Sequence, residues 1–279
     1  MLLGRLTDQR GTSFLVSEDF AIPDRTTHKA IAFIHMDIIT GTGPLLHHHI
    51  ITESQQHRSV ADRFLKANLA VDEFWQIRSR ERQLAMANRE ERHRMDPGEV
   101  DTDPTGDYEE VMSAIERMLK ALDVEVDTPS VFDTQVLVCH GASFHHDLHA
   151  WDDSLFVNWY VAGPPREFVL AGLGSVMLKP GDIILFDPSR PHGLVKPGNT
   201  RFTKTGWHYD ADEFSVFLCA DVTLTPALDS FFGIERADKK TFDLRGGQDL
   251  DSLVVDRHTG ALSLPVARKA SRAKKMATT

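Results

Sequence analysis

From Thr134 onward the apolar residues fall in short runs broken by turn residues: "TQVLVCHGASFHHD", "SLFVNWYVAG", "REFVLAG", "GSVMLKPGD", "IILFDPS", "HGLVKPG", "RFTKTGW" and "EFSVFLCADVTLT". β-Branched and aromatic runs at this spacing predict the strands of a sandwich or barrel-like core. The first half reads differently. "HKAIAFIHMDIITGTGP" predicts a strand closed by a Gly/Pro turn. "TESQ", Thr52 to Gln55, has the form of a capping box, and Val60, Phe64, Leu65, Leu69, Phe74 and Ile77 follow at mostly helical spacing. That pattern predicts one long helix running to about Arg94. After an acidic Pro/Gly loop, Asp96 to Asp107, the stretch "YEEVMSAIERMLKALD" puts Val111, Ile115, Met118, Leu119 and Leu122 on one side of a second helix.

Near the C-terminus, "SLVVDRHTGALSL" predicts a hairpin turning at Thr259-Gly260. The basic tail "ARKASRAKKMATT" lacks apolar periodicity and is expected to be disordered. The expected organisation is a single domain over residues 1–266. It comprises a helix-rich part (1–130), a β core (131–235) and a C-terminal extension (236–266), followed by the tail 267–279.

Composition narrows the function classes. A formal net charge of −10 argues against nucleic acid as the main partner, because phosphate contacts need a basic surface. Two cysteines, Cys139 and Cys219, form neither a disulfide framework nor a zinc-knuckle spacing, and each sits among apolar residues as a buried thiol would. No apolar run reaches membrane-spanning length, and "MLLGRLTDQRG" lacks the apolar centre of a signal peptide. These features predict a soluble, cytoplasmic protein that does not engage a membrane. Oligomeric state is not legible.

Chemistry concentrates in "SFHHDLHAWDD", Ser143 to Asp153. If Phe144 to His149 is extended, His145 and Asp147 share a face about 6–7 Å apart, while His146 points the other way. His149 shares the face but lies roughly 13 Å from His145 along the strand. The β-rich flanks argue against a helix, which alone would pair His145 with His149. A third ligand must come from elsewhere, and His192 in "LFDPSRPHGLV" is placed for it by the turn "KPGD" and the buried-looking strand "IILF". Two imidazoles and one carboxylate cap one face of an octahedron and leave three positions open, as non-haem Fe(II) chemistry requires. A second His-x-Asp, His35 to Asp37, has no such downstream partner and reads as an ordinary strand. The cluster His47 to His49 reads as a helix-entry feature.

Arg201 follows His192 in "RFT", and on a strand Arg201 and Thr203 would offer one carboxylate a guanidinium fork and a hydroxyl. The alternative last core strand is "EFSVFLCADVTL", which would leave Arg201 on a loop. The ordered set His-x-Asp, distant His, Arg-x-Thr resembles the Fe(II)- and 2-oxoglutarate-dependent oxygenases over roughly Thr134 to Trp207. The resemblance implies a mostly β fold with α elements: a double-stranded β-helix (jelly-roll, cupin-like) core with supporting N-terminal helices. It implies His145, Asp147 and His192 as catalytic iron ligands, and Arg201 with Thr203 on the distal carboxylate of 2-oxoglutarate. Asn158 and Tyr160, on one face of "SLFVNWYV", would line the cosubstrate pocket. The implied activity is hydroxylation of a small molecule or peptide by dioxygen, with release of succinate and CO2. Both imidazoles must be neutral to bind iron, so activity is expected to fall in acid. The competing expectations are a cupin-like metal-dependent dioxygenase that uses no 2-oxoglutarate, and a non-enzymatic β-sandwich binding module.

Overall fold

The computed structural model describes residues 16–20, 34–40, 49–51, 57–90, 96–103, 108–124, 131–147, 153–245 and 248–265. The N-terminal part supplies strands β1 (Val16–Phe20), β2 (Ile34–Thr40), β3 (His49–Ile51), β4 (His57–Ser59) and β5 (Arg63–Asn68), then helix α1 (Glu73–Ala87), β6 (Asp101–Asp103) and helix α2 (Tyr108–Ala121). The strands β7 (Val131–Cys139), β8 (Ala142–His145), β9 (Ser154–Ala162) and β10 (Arg166–Leu170) come next. They are followed by β11 (Gly174–Leu178), β12 (Asp182–Phe186), β13 (His192–Val195) and β14 (Ser215–Thr223). The chain closes with α3 (Pro226–Phe231), β15 (Arg236–Ala237), α4 (Lys239–Leu244) and the hairpin β16 (Val254–Val255) and β17 (Leu262–Ser263).

Strand order identifies the architecture. One sheet runs β1-β2-β5-β12-β9-β14-β7-β6 and the facing sheet runs β11-β10-β13-β8, with antiparallel pairing throughout. From β7 to β14 the chain crosses repeatedly between the two sheets, so that its first, eighth, third and sixth strands are neighbours in one. Its second, seventh, fourth and fifth are neighbours in the other. That order is the jelly roll, or double-stranded β-helix. Strands β5, β2 and β1 lengthen the larger sheet beyond β12, and β6 caps its other edge.

The larger sheet is buried on both faces. Its inner side chains, among them Phe64, Phe156, Tyr160, Ile184, Phe186, Phe217 and Cys219, pack against the facing sheet. Its outer ones, including Leu65, Val157, Trp159, Leu185, Leu218 and Ala220, pack with Trp75, Val111, Ile115 and Met118 from the two long helices. α1 starts at Asp72, whose carboxylate accepts from the Trp75 N–H at 3.0 Å, and it seats Trp75 edge-on against Trp159. The second helix matches expectation: Val111, Ile115, Met118, Leu119 and Leu122 are all buried.

The first helix does not. Residues 57–59 and 63–68 are strands, and helix begins only at Glu73. Phe64 and Leu65 are apolar because β5 is covered on both faces: Phe64 enters the inner layer and Leu65 the outer one, while Val60, before the strand, packs with Ile50, Leu250 and Leu253. A strand buried on both sides has no alternation and imitates a helical stripe. Thr52 to Gln55 lie outside the described residues, as do His47, His48, the tail from residue 266 and the part of "HKAIAFIHMDIITGTGP" outside Ile34–Thr40. His35 and Asp37 lie on β2, paired with β1.

The C-terminal hairpin turns where expected. Gly260 has φ +71° and its N–H donates to the Asp256 carbonyl. A Cβ on Gly260 would also stand 2.6 Å from the Phe144 ring, so both the turn and the packing require glycine. The hairpin tip lies along β8, with the Phe144 N–H donating to the Arg257 carbonyl at 3.0 Å. No helix among the described residues is long and apolar enough to cross a membrane.

Candidate metal centre

His145 ends β8 and His192 begins β13, and the two stand directly opposite each other in the sheet register. Asp147 lies two residues beyond β8, its N–H donating to the Pro188 carbonyl at 3.1 Å. Its carboxylate is 3.8 Å from His145 Nε2 and 3.7 Å from His192 Nε2, and one donor atom from each residue lies within 4.8 Å of the others. The sequence spacing therefore brings these three groups together in space. His146 is not part of the cluster, while His149 and Trp151 lie outside the described residues.

The donor set fits a divalent transition metal. Ligands about 2.1 Å from an ion stand roughly 3.0–3.4 Å apart at tetrahedral or octahedral angles, so the carboxylate, 3.7 and 3.8 Å from the two imidazole nitrogens, would draw in by under about 1 Å on binding one. The ring orientations are also fixed for the task. His145 Nδ1 donates to the Ser143 carbonyl at 2.7 Å and His192 Nδ1 to the Arg190 carbonyl at 2.9 Å. Each bond assigns the proton to Nδ1 and leaves the Nε2 lone pair turned toward Asp147. Burial, reinforced by the positive potential of His145, depresses the His192 pKa to about 4 despite the opposing Asp147 carboxylate. His192 is thus the neutral base a metal needs across the physiological range. Cys139, also on the cavity wall, is held as a thiol by burial, which pushes it up to about 12. It supplies no thiolate, and the donors are nitrogen and oxygen only.

The loop before His192 is clamped from the N-terminal part. Arg58, on β4, makes a two-pronged bond to Asp187 (2.7 and 3.1 Å) and also reaches the Ser189 hydroxyl. Asp187 in turn accepts from the N–H groups of Ala61 and Ser189. Burial by itself would raise the Asp187 carboxyl, but the Arg58 charge and these bonds outweigh it and hold the pKa below its usual range. The segment Asp187–Pro191 thereby fixes two carbonyls, those of Pro188 and Arg190, which orient Asp147 and His192. Nothing in the sequence marked Arg58 for this role.

The triad stands at one side of a cavity of about 240 Å³ between the two sheets, lined mainly by Leu137, Phe156, Phe168, Ile184 and Phe217. Asn158 lines it too. Tyr160 does not: its ring stacks on Phe217 at 4.6 Å, and its hydroxyl donates to the Pro164 carbonyl and pairs with Ser215 Oγ. Arg201 and Thr203 were expected on a strand facing a cosubstrate, but they lie on an irregular, exposed loop. The reason is local. Phe202 between them takes the buried position beside Phe144 and Trp207, so its two neighbours face outward. Arg201 borders a different hollow, between the β10–β11 turn and the C-terminal hairpin. The last core strand is β14.

One further acid lies in this layer. Asp221, fully buried on β14, accepts from the Ser154 hydroxyl at 3.1 Å, and its second oxygen has no partner among the described residues. Burial, with the charges of Asp133 and Asp147 adding to it, pushes its pKa up to about 8 against the pull of Ser154. The folded state therefore holds a proton that the unfolded chain, near 3.8, releases. The stability this contributes is complete below about pH 4 and is lost as pH rises through 8. Urea melts should show the protein weakening as pH rises from about 4 to 8, and Asp221→Asn should flatten that slope. An undiminished slope would place the titrating group elsewhere.

No protein-family model and no curated protein matches the sequence. Among solved structures, the chain is similar to a predicted oxalate decarboxylase from Thermotoga maritima, with 16% identity over 46% of this chain and 83% of that one and a TM-score of 0.26. It is also similar to salicylate 1,2-dioxygenase from Pseudaminobacter salicylatoxidans, with 11% identity over 59% of this chain and 37% of that one and a TM-score of 0.29. It spans well under half of the dioxygenase's length. A third is SnoN, a non-haem α-ketoglutarate-dependent epimerase from nogalamycin biosynthesis, with 13% identity over 57% of this chain and 78% of that one and a TM-score of 0.31. Likeness at this level adds no argument, and the fold assignment rests on the strand order described above.

Proposed function

We propose that the chain is an iron(II)-dependent dioxygenase acting on a small molecule. The observation that carries this reading is the convergence of His145, Asp147 and His192, two imidazoles and one carboxylate, beside an apolar cavity between the sheets. These three residues would hold iron(II), which would supply activation of dioxygen beside an organic substrate. The chain's own part is to hold the three donors on one side through the Ser143, Arg190 and Pro188 carbonyls, leaving the cavity side free. The aromatic lining keeps water from the reacting atoms. A cavity near 240 Å³ is below the usual span for drug-sized ligands and suits a compact metabolite rather than a peptide.

The cosubstrate is the finer question. Arg201 borders another hollow, and among the described residues lining the cavity none is Arg or Lys. A 2-oxoglutarate dianion placed there would lose hydration with no cationic side chain to receive its distal carboxylate. This favours the reading in which the substrate itself supplies all four electrons and takes up both oxygen atoms. Anaerobic titration should give one iron(II) per chain with no visible charge-transfer band on adding 2-oxoglutarate, and admitting dioxygen should then yield no succinate. A band together with succinate release would restore the cosubstrate. Failure to hold stoichiometric metal at micromolar iron would overturn the proposal altogether.

A further inference from the structure

The wall facing the triad is not uniformly apolar. Gln135 on β7, Cys219 on β14, Asn158 on β9 and Ile184 on β12 stand side by side in one cross-strand row of the larger sheet. Gln135, Asn158 and Ile184 line the cavity. The amides of Gln135 and Asn158 flank Cys219, their backbones roughly 10 Å apart across two strand spacings. Asn158 is 9% exposed, and its Oδ1 has no hydrogen-bond partner among the described residues. A buried acceptor left unmatched is costly, so such groups persist where a ligand completes them. The metal ligands belong to the opposite sheet, about 10 Å away face to face. A ligand in the cavity is therefore held from two sides: by the triad at one end, and by an uncharged amide row at the other.

Resting on the metal-centre reading above, we infer that Asn158, with Gln135 beside it, is the specificity-determining group. It selects a neutral ligand that places a hydrogen-bond donor at the end remote from its metal-binding atoms. Between those ends the Phe156, Phe168 and Phe217 rings and Ile184 accept a flat apolar body. An anionic end meets no cation, and an end lacking a donor leaves the Asn158 oxygen unmatched, so both are discriminated against.

Three catechols serve as probes, each with a metal-chelating edge and a different far end: 3,4-dihydroxybenzamide (donor), methyl 3,4-dihydroxybenzoate (no donor) and 3,4-dihydroxybenzoate (anion). Calorimetry on the zinc-loaded full chain, where no turnover occurs, reads their affinities. The amide should bind about tenfold more tightly than the ester or the acid, the effect of one well-formed hydrogen bond. In Asn158→Leu the amide should fall to the ester's affinity, while zinc affinity holds. Equal binding of amide and ester to the unaltered protein overturns the inference, as does a preference that survives in Asn158→Leu. Zinc retention with no catechol binding also overturns it and leaves the metal centre standing, whereas failure to bind zinc removes the metal reading itself.

Discussion

An Asp147→Ala protein should lose tight metal binding, its dissociation constant for iron(II) rising by well over about 100-fold, while its apo form melts close to the parent. The carboxylate stands 3.8 and 3.7 Å from the two imidazole nitrogens and is the sole anion of the cluster. Loss of residues that merely orient a ligand costs about 10–100-fold in metal affinity, so loss of a ligand exceeds that. The apo fold should tolerate the change because the Asp147 side chain is 31% exposed and carries no buried partner charge. Arg201→Ala is the matched control, since that side chain borders another hollow and should leave iron affinity unaltered. Metal titration of both variants decides the point. Equal iron binding in Asp147→Ala and the parent would show that the cluster is only a hydrogen-bonded surface patch.

Removing the clamp behind the site should cost more in stability than in binding. Arg58 and Asp187 are 0% and 1% exposed. Arg58→Met would leave a buried carboxylate facing no charge, at a cost of about 3–5 kcal/mol, or on the order of 10 °C in melting temperature for a chain of this size. The effect depends on pH. In the parent, Asp187 is held low, so its contribution is present above the ordinary carboxylate pKa and is lost as pH falls through the folded value. Without Arg58, burial prevails and the Asp187 pKa rises, so the variant should weaken with increasing pH across the neutral range, where the parent does not owe any such loss to this residue. The double variant Arg58→Met, Asp187→Leu removes both charges and should recover most of the melting temperature. Metal affinity should fall in Arg58→Met by about 10–100-fold, because the loop carbonyls that orient Asp147 and His192 lose their anchor. A single variant as stable as the parent would refute the clamp.

The core of this fold was legible where continuous apolar runs are bounded by turn residues. β9, β12 and β14 announce themselves through β-branched and aromatic runs, and α2 through a clean apolar stripe. β5 was not legible, because its run RFLKAN has no β-branched residue and Phe64 and Leu65 read as neighbours on a helix. At the site, His145 lies on a strand as expected, but that strand ends there and Asp147 stands beyond it, held by the Pro188 carbonyl; His192 was readable from the turn and strand before it. Arg201 misled because alternation gives the pairing of residues on a face but not which face is inward, and Phe202 decided that. Arg58 and the row formed by Gln135 and Asn158 depend on contacts between distant segments. The only local hint was a polar residue interrupting an otherwise apolar strand, as Gln135 does in "TQVLVC".

The hairpin lying along β8 has a bearing on how the molecule can be shortened. β8 is the outermost strand of its sheet, and it carries the first of the three ligands. Gly98 also bonds this strand at Ser143, so trimming the chain before Ser252 would bare the edge at Phe144 and invite other molecules to add on there. Self-association and loss of the metal would then arrive together, from a deletion that touches no ligand.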